Sequence, residues 1–309
     1  MKKMVGLGLF TIPEACKCNE YSNGRYTMQP YWTCTHGCKG CYARKGWRWT
    51  TWGAKSETPV SVDLVKAKKD YLKLKSFSEI EIAPSCDAFD LVFEKKYQIT
   101  KKFLMEIAPL RNDIFFTFLS KSNIIQDYIE IIPKNSVVQI TVESYKEKME
   151  TTSPKASSYN ERLECVSKLT SNSIKTAIRI DPIIPDFDTF EDIGNIVRDF
   201  VNKGIQHITI STIKFYPSQM KDIKSLGLEK KIYKKTNNEY YIKDNLRNKY
   251  ALFVKNLCED SGISFAMCRE TIQENSKGAF CDPFHLLPNY KPKMESPLVF
   301  KKITQFGGK

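Results

Sequence analysis

The chain has 309 residues, enough for one large α/β domain with a sizeable core, or for a domain with an appendage. Lysine and arginine outnumber aspartate and glutamate 48 to 35, and the resulting charge of +13 favours phosphate-bearing partners through steering and counterion release. No apolar run is long enough to span a bilayer and the basic start lacks a signal-peptide core; ten cysteines would risk scrambled disulfides in an exported chain, so a cytoplasmic protein is expected.

In chain order, residues 1–25 read as an N-terminal extension. Short β-type runs then alternate with helical patterns, which predicts parallel βαβ units. The expected strands are 26–32, 79–83, 114–119, 137–142, 174–180 and 207–213. Between them, Thr100 is the expected cap of a helix over 101–107 and Ser158 of one over 159–169, while Thr189 with Asp192 makes a capping-box pattern. Six such units predict a partial (β/α)6 TIM-type barrel over 26–215, with its chemistry at the C-terminal strand ends. The alternation fades after residue 215. The remainder, 216–309, reads as a mainly helical extension with one further strand at 263–267, either closing the barrel or capping the substrate.

The chemistry-bearing stretch is the loop that ends the first strand, Tyr31-Trp32-Thr33-Cys34-Thr35-His36-Gly37-Cys38-Lys39-Gly40-Cys41-Tyr42. Three thiols at C-x3-C-x2-C spacing in a reducing compartment point to a metal or cluster rather than disulfides. A zinc site would need a fourth ligand, for which His36 is near enough in sequence; an iron–sulfur cube can be held by three cysteines with one iron left open. Gly37 and Gly40 allow the backbone to wrap a bulky object. Just beyond, Trp47, Trp49 and Trp52 are interleaved with Arg44, Lys45 and Arg48, which suits stacking on an unpaired base beside its phosphates, or equally a flap shielding the site. Cys16, Cys18, Cys268 and Cys281 form a possible second cluster or zinc set, with irregular spacing.

The cysteine triplet, with the aromatic Tyr42 behind it, resembles that of the radical S-adenosylmethionine superfamily. Other pieces resemble its spore photoproduct lyase-like branch: Gln29-Pro30-Tyr31, Cys41-Tyr42-Ala43-Arg44, Leu119-Ser120-Lys121-Ser122, Arg162-Leu163 and Arg179-Ile180-Asp181-Pro182-Ile183-Ile184-Pro185. The resemblance implies a 4Fe-4S cluster on Cys34, Cys38 and Cys41, and S-adenosylmethionine contacted by Tyr42, Ser85, Lys121, Thr141 and Asp181. It also implies a 5′-deoxyadenosyl radical that takes hydrogen from substrate, a donor such as flavodoxin or ferredoxin, and oxygen sensitivity. Aligning Ala83-Pro84-Ser85-Cys86-Asp87 by its aspartate puts Pro84 where the lyases carry their hydrogen-returning cysteine, and Gly40 where they carry a second tyrosine. Cys86, with Tyr42, is then the substitute catalytic pair to examine. The expected function is a radical reaction on a nucleic-acid base, with DNA the expected partner and without the lyases' own relay. The alternatives are radical chemistry on a peptide or small metabolite, or a non-catalytic metal-stabilised nucleic-acid binder.

Overall fold

A computed structural model describes residues 25–45, 59–236, 238–268 and 275–292, together with the backbone of Lys2–Lys3 and Phe10–Thr11. Seven parallel strands make the central sheet: β1 (Arg25–Met28), β2 (Glu79–Ile82), β3 (Phe115–Ser120), β4 (Ser136–Thr141), β5 (Lys175–Ile183), β6 (His207–Thr212) and β7 (Ser264–Met267). Each pairs with its neighbour in chain order, and the antiparallel Phe10–Thr11 covers the β1 edge. This is the winding of a (β/α) barrel left open. The six expected strands are present, and the further strand at the C-terminus adds to the same sheet.

Strand alternation sorts the side chains onto two faces. Ile80, Ile82, Phe116, Phe118, Val138, Ile140, Ile178, Ile180, Ile208 and Ile210 point to the main core. The helices there include α1 (Leu64–Leu72), α2 (Ile99–Glu106), α3 (Tyr159–Ser171), α4 (Phe190–Val201) and α5 (Asp244–Asp260). On the inner face, the registers β2 to β6 carry Glu81, Thr117, Gln139, Arg179 and Thr209, a polar layer. Gln139 Nε2 donates to Thr117 Oγ1 at 3.0 Å, and Thr209 Oγ1 donates to the Cys281 carbonyl at 2.9 Å. Nearer the strand N-termini the same face is apolar, where Phe115 and Val137 pack against Phe284 and Leu287. Tyr290 donates to Glu79 at 2.8 Å, so the segment 275–292 lies across the lower half of the inner face and leaves the upper half, at the strand C-termini, polar.

Ser158 with Glu161 and Thr189 with Asp192 form capping boxes at α3 and α4, as their spacing predicts. Thr100 is not the cap of α2. The helix begins at Ile99 behind a left-handed Gln98, and the buried Thr100 hydroxyl donates to the Ala88 carbonyl. The first-turn amides of Thr100 and Lys101 bond instead to Glu94, at 3.1 and 2.9 Å. Beyond β6, Lys214–Phe215, Glu239–Ile242 and Tyr233–Thr236 form an antiparallel sheet, with a small core around Ile213, Phe215, Ile223 and Ile242. Among the described residues no helix is long and apolar enough to cross a membrane.

Candidate active site

The cysteine loop leaves β1 through two further ladder bonds, Trp32 N to Val60 O and Val62 N to Pro30 O, both 3.0 Å. It is then fastened at several points. The Thr35 amide and hydroxyl donate to Asp90, Lys155 N donates to His36 O at 3.1 Å, and Lys39 N donates to Thr152 O at 2.8 Å. The Cys41 carbonyl accepts from Gln219 Nε2 at 2.9 Å. Gly37 and Gly40 both take left-handed φ values, 69° and 71°. A Cβ on Gly40 would stand 2.9 Å from Ile223 Cδ1, so the loop lies against the small C-terminal core as well.

Cys34, Cys38 and Cys41 are half-buried free thiols. Loss of solvent pushes the Cys34 thiol well up, with Cys38, Cys41, Cys86 and Asp87 adding to the rise. The three sulfurs therefore feel one another. Yet among the described residues no three Cys, His, Asp or Glu groups close around a point as a single ion would demand. That arrangement fits a polynuclear cluster better than a mononuclear zinc. His36, 1% exposed, is held through Nε2 by Asp87 Oδ2 at 2.8 Å, while its buried Nδ1 has no hydrogen-bond partner.

Asp87 is the hub behind the loop. Besides His36 it accepts from Ser120 Oγ at 2.9 Å, Lys121 N at 2.7 Å and Phe89 N at 2.9 Å. Burial raises its carboxyl, but these donors outweigh burial and hold it below its ordinary range. Lys121, at the end of β3, meets Glu143 Oε1 at 3.0 Å; Arg162, fully buried, meets Glu143 Oε2 at 2.7 Å. Arg162 also donates to the carbonyls of Thr141 and Ser157, at 2.6 and 2.9 Å. Against the cost of burial, the two cations hold the Glu143 carboxyl down at about 2. Two cations against one anion leave a net positive charge close to Cys38, which senses all three.

The other residues expected from the sequence gather around the same strand ends. Tyr42 is 52% exposed and donates to the Pro84 carbonyl at 2.6 Å. Cys86 Sγ donates towards Gln29 Oε1 and Tyr31 O, each at 2.7 Å, and Ser85 Oγ accepts from Gln29 Nε2 at 2.8 Å. Thr141 ends β4, and Asp181 on β5 pairs with Arg179 at 2.9 Å. The Arg44 amide donates to the Cys41 carbonyl at 3.3 Å. Trp47, Arg48, Trp49 and Trp52 lie outside the described residues, as do Cys16 and Cys18. Sequence reading missed Asp90, Glu143 and Gln219 as parts of this site. A lone acid or amide has no motif, and only the fold brings each to the loop.

No protein-family profile matches the chain. An uncharacterized protein of Methanocaldococcus jannaschii is 28% identical over 191 residues, 58% of this chain and 68% of that protein. Among solved structures, a double mutant of spore photoproduct lyase with bound AdoMet and dinucleoside spore photoproduct superposes with a TM-score of 0.60 at 14% identity, covering 76% of this chain and 73% of that one. A cysteine-to-serine mutant of the same enzyme gives 0.65 at 13% identity, covering 83% and 77%. With its open barrel and its cysteine loop at the end of β1, the chain has the spore photoproduct lyase-like fold of the radical S-adenosylmethionine superfamily.

Proposed function

We propose that this protein is a radical S-adenosylmethionine enzyme acting on a nucleic-acid base. The observation that carries the proposal is the three-cysteine loop fastened to the C-terminal end of β1, with the Lys121–Glu143–Arg162 charges beside Cys38. Cys34, Cys38 and Cys41 would hold a 4Fe-4S cluster. Bound there, the cluster and S-adenosylmethionine supply one-electron cleavage of the sulfonium C–S bond and a 5′-deoxyadenosyl radical. Lys121 binds the methionine carboxylate: its ammonium stays charged because Glu143 faces it, and Arg162 shares Glu143 so that the carboxylate does not cancel both cations. Ser85, Thr141, Asp181 and Tyr42 border the same mouth and orient the nucleoside half. Cys86, its thiol aimed at the Tyr31 carbonyl, is the candidate hydrogen donor.

The solved lyase with a dinucleoside lesion in its site supports a base as the substrate class, and so do the +13 charge and the Trp/Arg stretch after Tyr42. Reduction would come from a low-potential donor of the flavodoxin or ferredoxin class. Anaerobically reconstituted protein should form 5′-deoxyadenosine from S-adenosylmethionine under reduction, and Cys38→Ala should not. Nucleoside mass spectrometry of DNA and RNA pools then identifies the product. Absence of 5′-deoxyadenosine from iron-replete protein would end the radical reading; its formation with turnover of only a peptide or small metabolite would end the base reading.

A further inference from the structure

Cys268 and Cys281 serve neither the cysteine loop nor the main hydrophobic core. Cys268 follows the last residue of β7, and its amide donates to Ile210 O on β6 at 2.8 Å. Cys281 belongs to the segment that lies across the inner face. Its carbonyl is held from two strands, by Arg179 Nη1 at 3.0 Å and Thr209 Oγ1 at 2.9 Å. These anchors bring the Cys268 thiol into hydrogen-bond contact with Cys281, although the two are free cysteines. Cys281 is buried and Cys268 is half-buried, so one thiol is reachable from solvent and the other stands behind it. The Arg179 guanidinium, fixed by Asp181 Oδ2 at 2.9 Å, faces both sulfurs.

We propose that Cys268 and Cys281 are a dithiol modification site that closes reversibly to a disulfide, with Cys268 as the attacking thiol and Cys281 as the resolving one. The oxidant is a low-molecular-weight disulfide. The Cys268 thiolate attacks one of its sulfurs, an S–S bond forms to Cys268, and one thiolate leaves. Cys281 then attacks the mixed disulfide and expels the second. The two protons from Cys268 and Cys281 end on the two released thiols, and the two electrons go with them. The new bond ties the end of β7 to the segment across the lower inner face, so oxidation pins the base of the polar layer that carries Arg179. None of this depends on the radical chemistry proposed above.

The test uses the full chain, purified without oxygen, with oxidised glutathione as the probe. After incubation the free thiols are blocked, the protein is digested, and the cysteine peptides are identified by mass spectrometry alongside metal analysis. The expected product is a Cys268–Cys281 linked peptide that dithiothreitol separates, with the thermal midpoint of the oxidised protein raised by a few degrees. Cys281→Ser should trap glutathione on Cys268, whereas Cys268→Ser should leave Cys281 unmodified. Three results would overturn the proposal: both thiols blocked under conditions that oxidise other cysteines, either one linked elsewhere, or both protected by a bound zinc or second cluster.

Discussion

Glu143 concentrates the charge balance of the site in one side chain. It is 1% exposed and is the shared anion of Lys121 and Arg162. Removing it leaves two cations uncompensated beside the cysteine loop, and breaking a buried pair from one side costs roughly 3–5 kcal/mol. Glu143→Gln is therefore expected to lower stability by about that much in urea unfolding, whereas Lys121→Met, which leaves the Arg162–Glu143 pair in place, should cost less. A Glu143→Gln protein as stable as the parent would mean that the two cations find other partners. Cys86 makes a different residue-scale prediction. If its thiol returns hydrogen to a substrate radical, Cys86→Ala should keep 5′-deoxyadenosine formation while the yield of finished product per 5′-deoxyadenosine falls. An unchanged ratio would leave Cys86 a buried packing group. Its contacts with Gln29 and Tyr31 are local consequences of the turn after β2, where Ala83 has a positive φ of 61°.

The cysteine loop shows why some elements were legible in the sequence and others were not. Its own requirements are local: thiol spacing and two glycines that reach left-handed φ. The capping boxes of α3 and α4 are local too, because the partners sit three residues apart. The strands and their order followed from apolar alternation. By contrast, Thr100 misled because a hydroxyl before a helical pattern reads as a cap, while packing gave it to Ala88 and gave the capping work to Glu94. Asp90 and Gln219 clamp the loop from distant positions in the chain, and no spacing rule reaches that far. The clamp predicts the behaviour of Gly40→Ala. The substitution forces a Cβ to within 2.9 Å of Ile223 and strains a φ of 71°, at a cost of about 1–3 kcal/mol. Reconstituted Gly40→Ala should hold less iron per chain than the parent, while Gly227→Ala, where no atom lies within 4 Å of the added Cβ, should bind iron normally. Equal iron in all three proteins would show that the C-terminal core does not shape the loop.

At the scale of the whole molecule, acid should weaken the packing of the C-terminal segment on the sheet, and the sign follows from three buried groups. His207 on β6 and His285 on the segment both bond to Ser264 Oγ, at 2.8 and 2.9 Å, with their rings 4.9 Å apart. Burial lowers His285 to about 4 and His207 well below its ordinary value. Asp188 runs the other way, because burial raises its carboxyl to about 7. Between about pH 4.5 and 6 the unfolded chain binds two protons on these histidines that the folded chain refuses, while folded Asp188 binds one that the unfolded chain lacks. The difference is one proton, so stability should fall on acidification by about 1.4 kcal/mol per pH unit. Glu143 and Asp87, whose folded carboxyls are depressed, add their loss only at lower pH, as the unfolded carboxylates protonate. Two substitutions separate the contributions. His285→Gln, which keeps a polar partner for Ser264, should flatten the slope to near zero, and Asp188→Asn should roughly double it. Chemical unfolding measured from pH 4.5 to 6 reads both slopes. If Asp188→Asn left the slope unchanged, its carboxyl would already be ionised in the folded protein, and the acid sensitivity would then belong to the histidines with nothing opposing it.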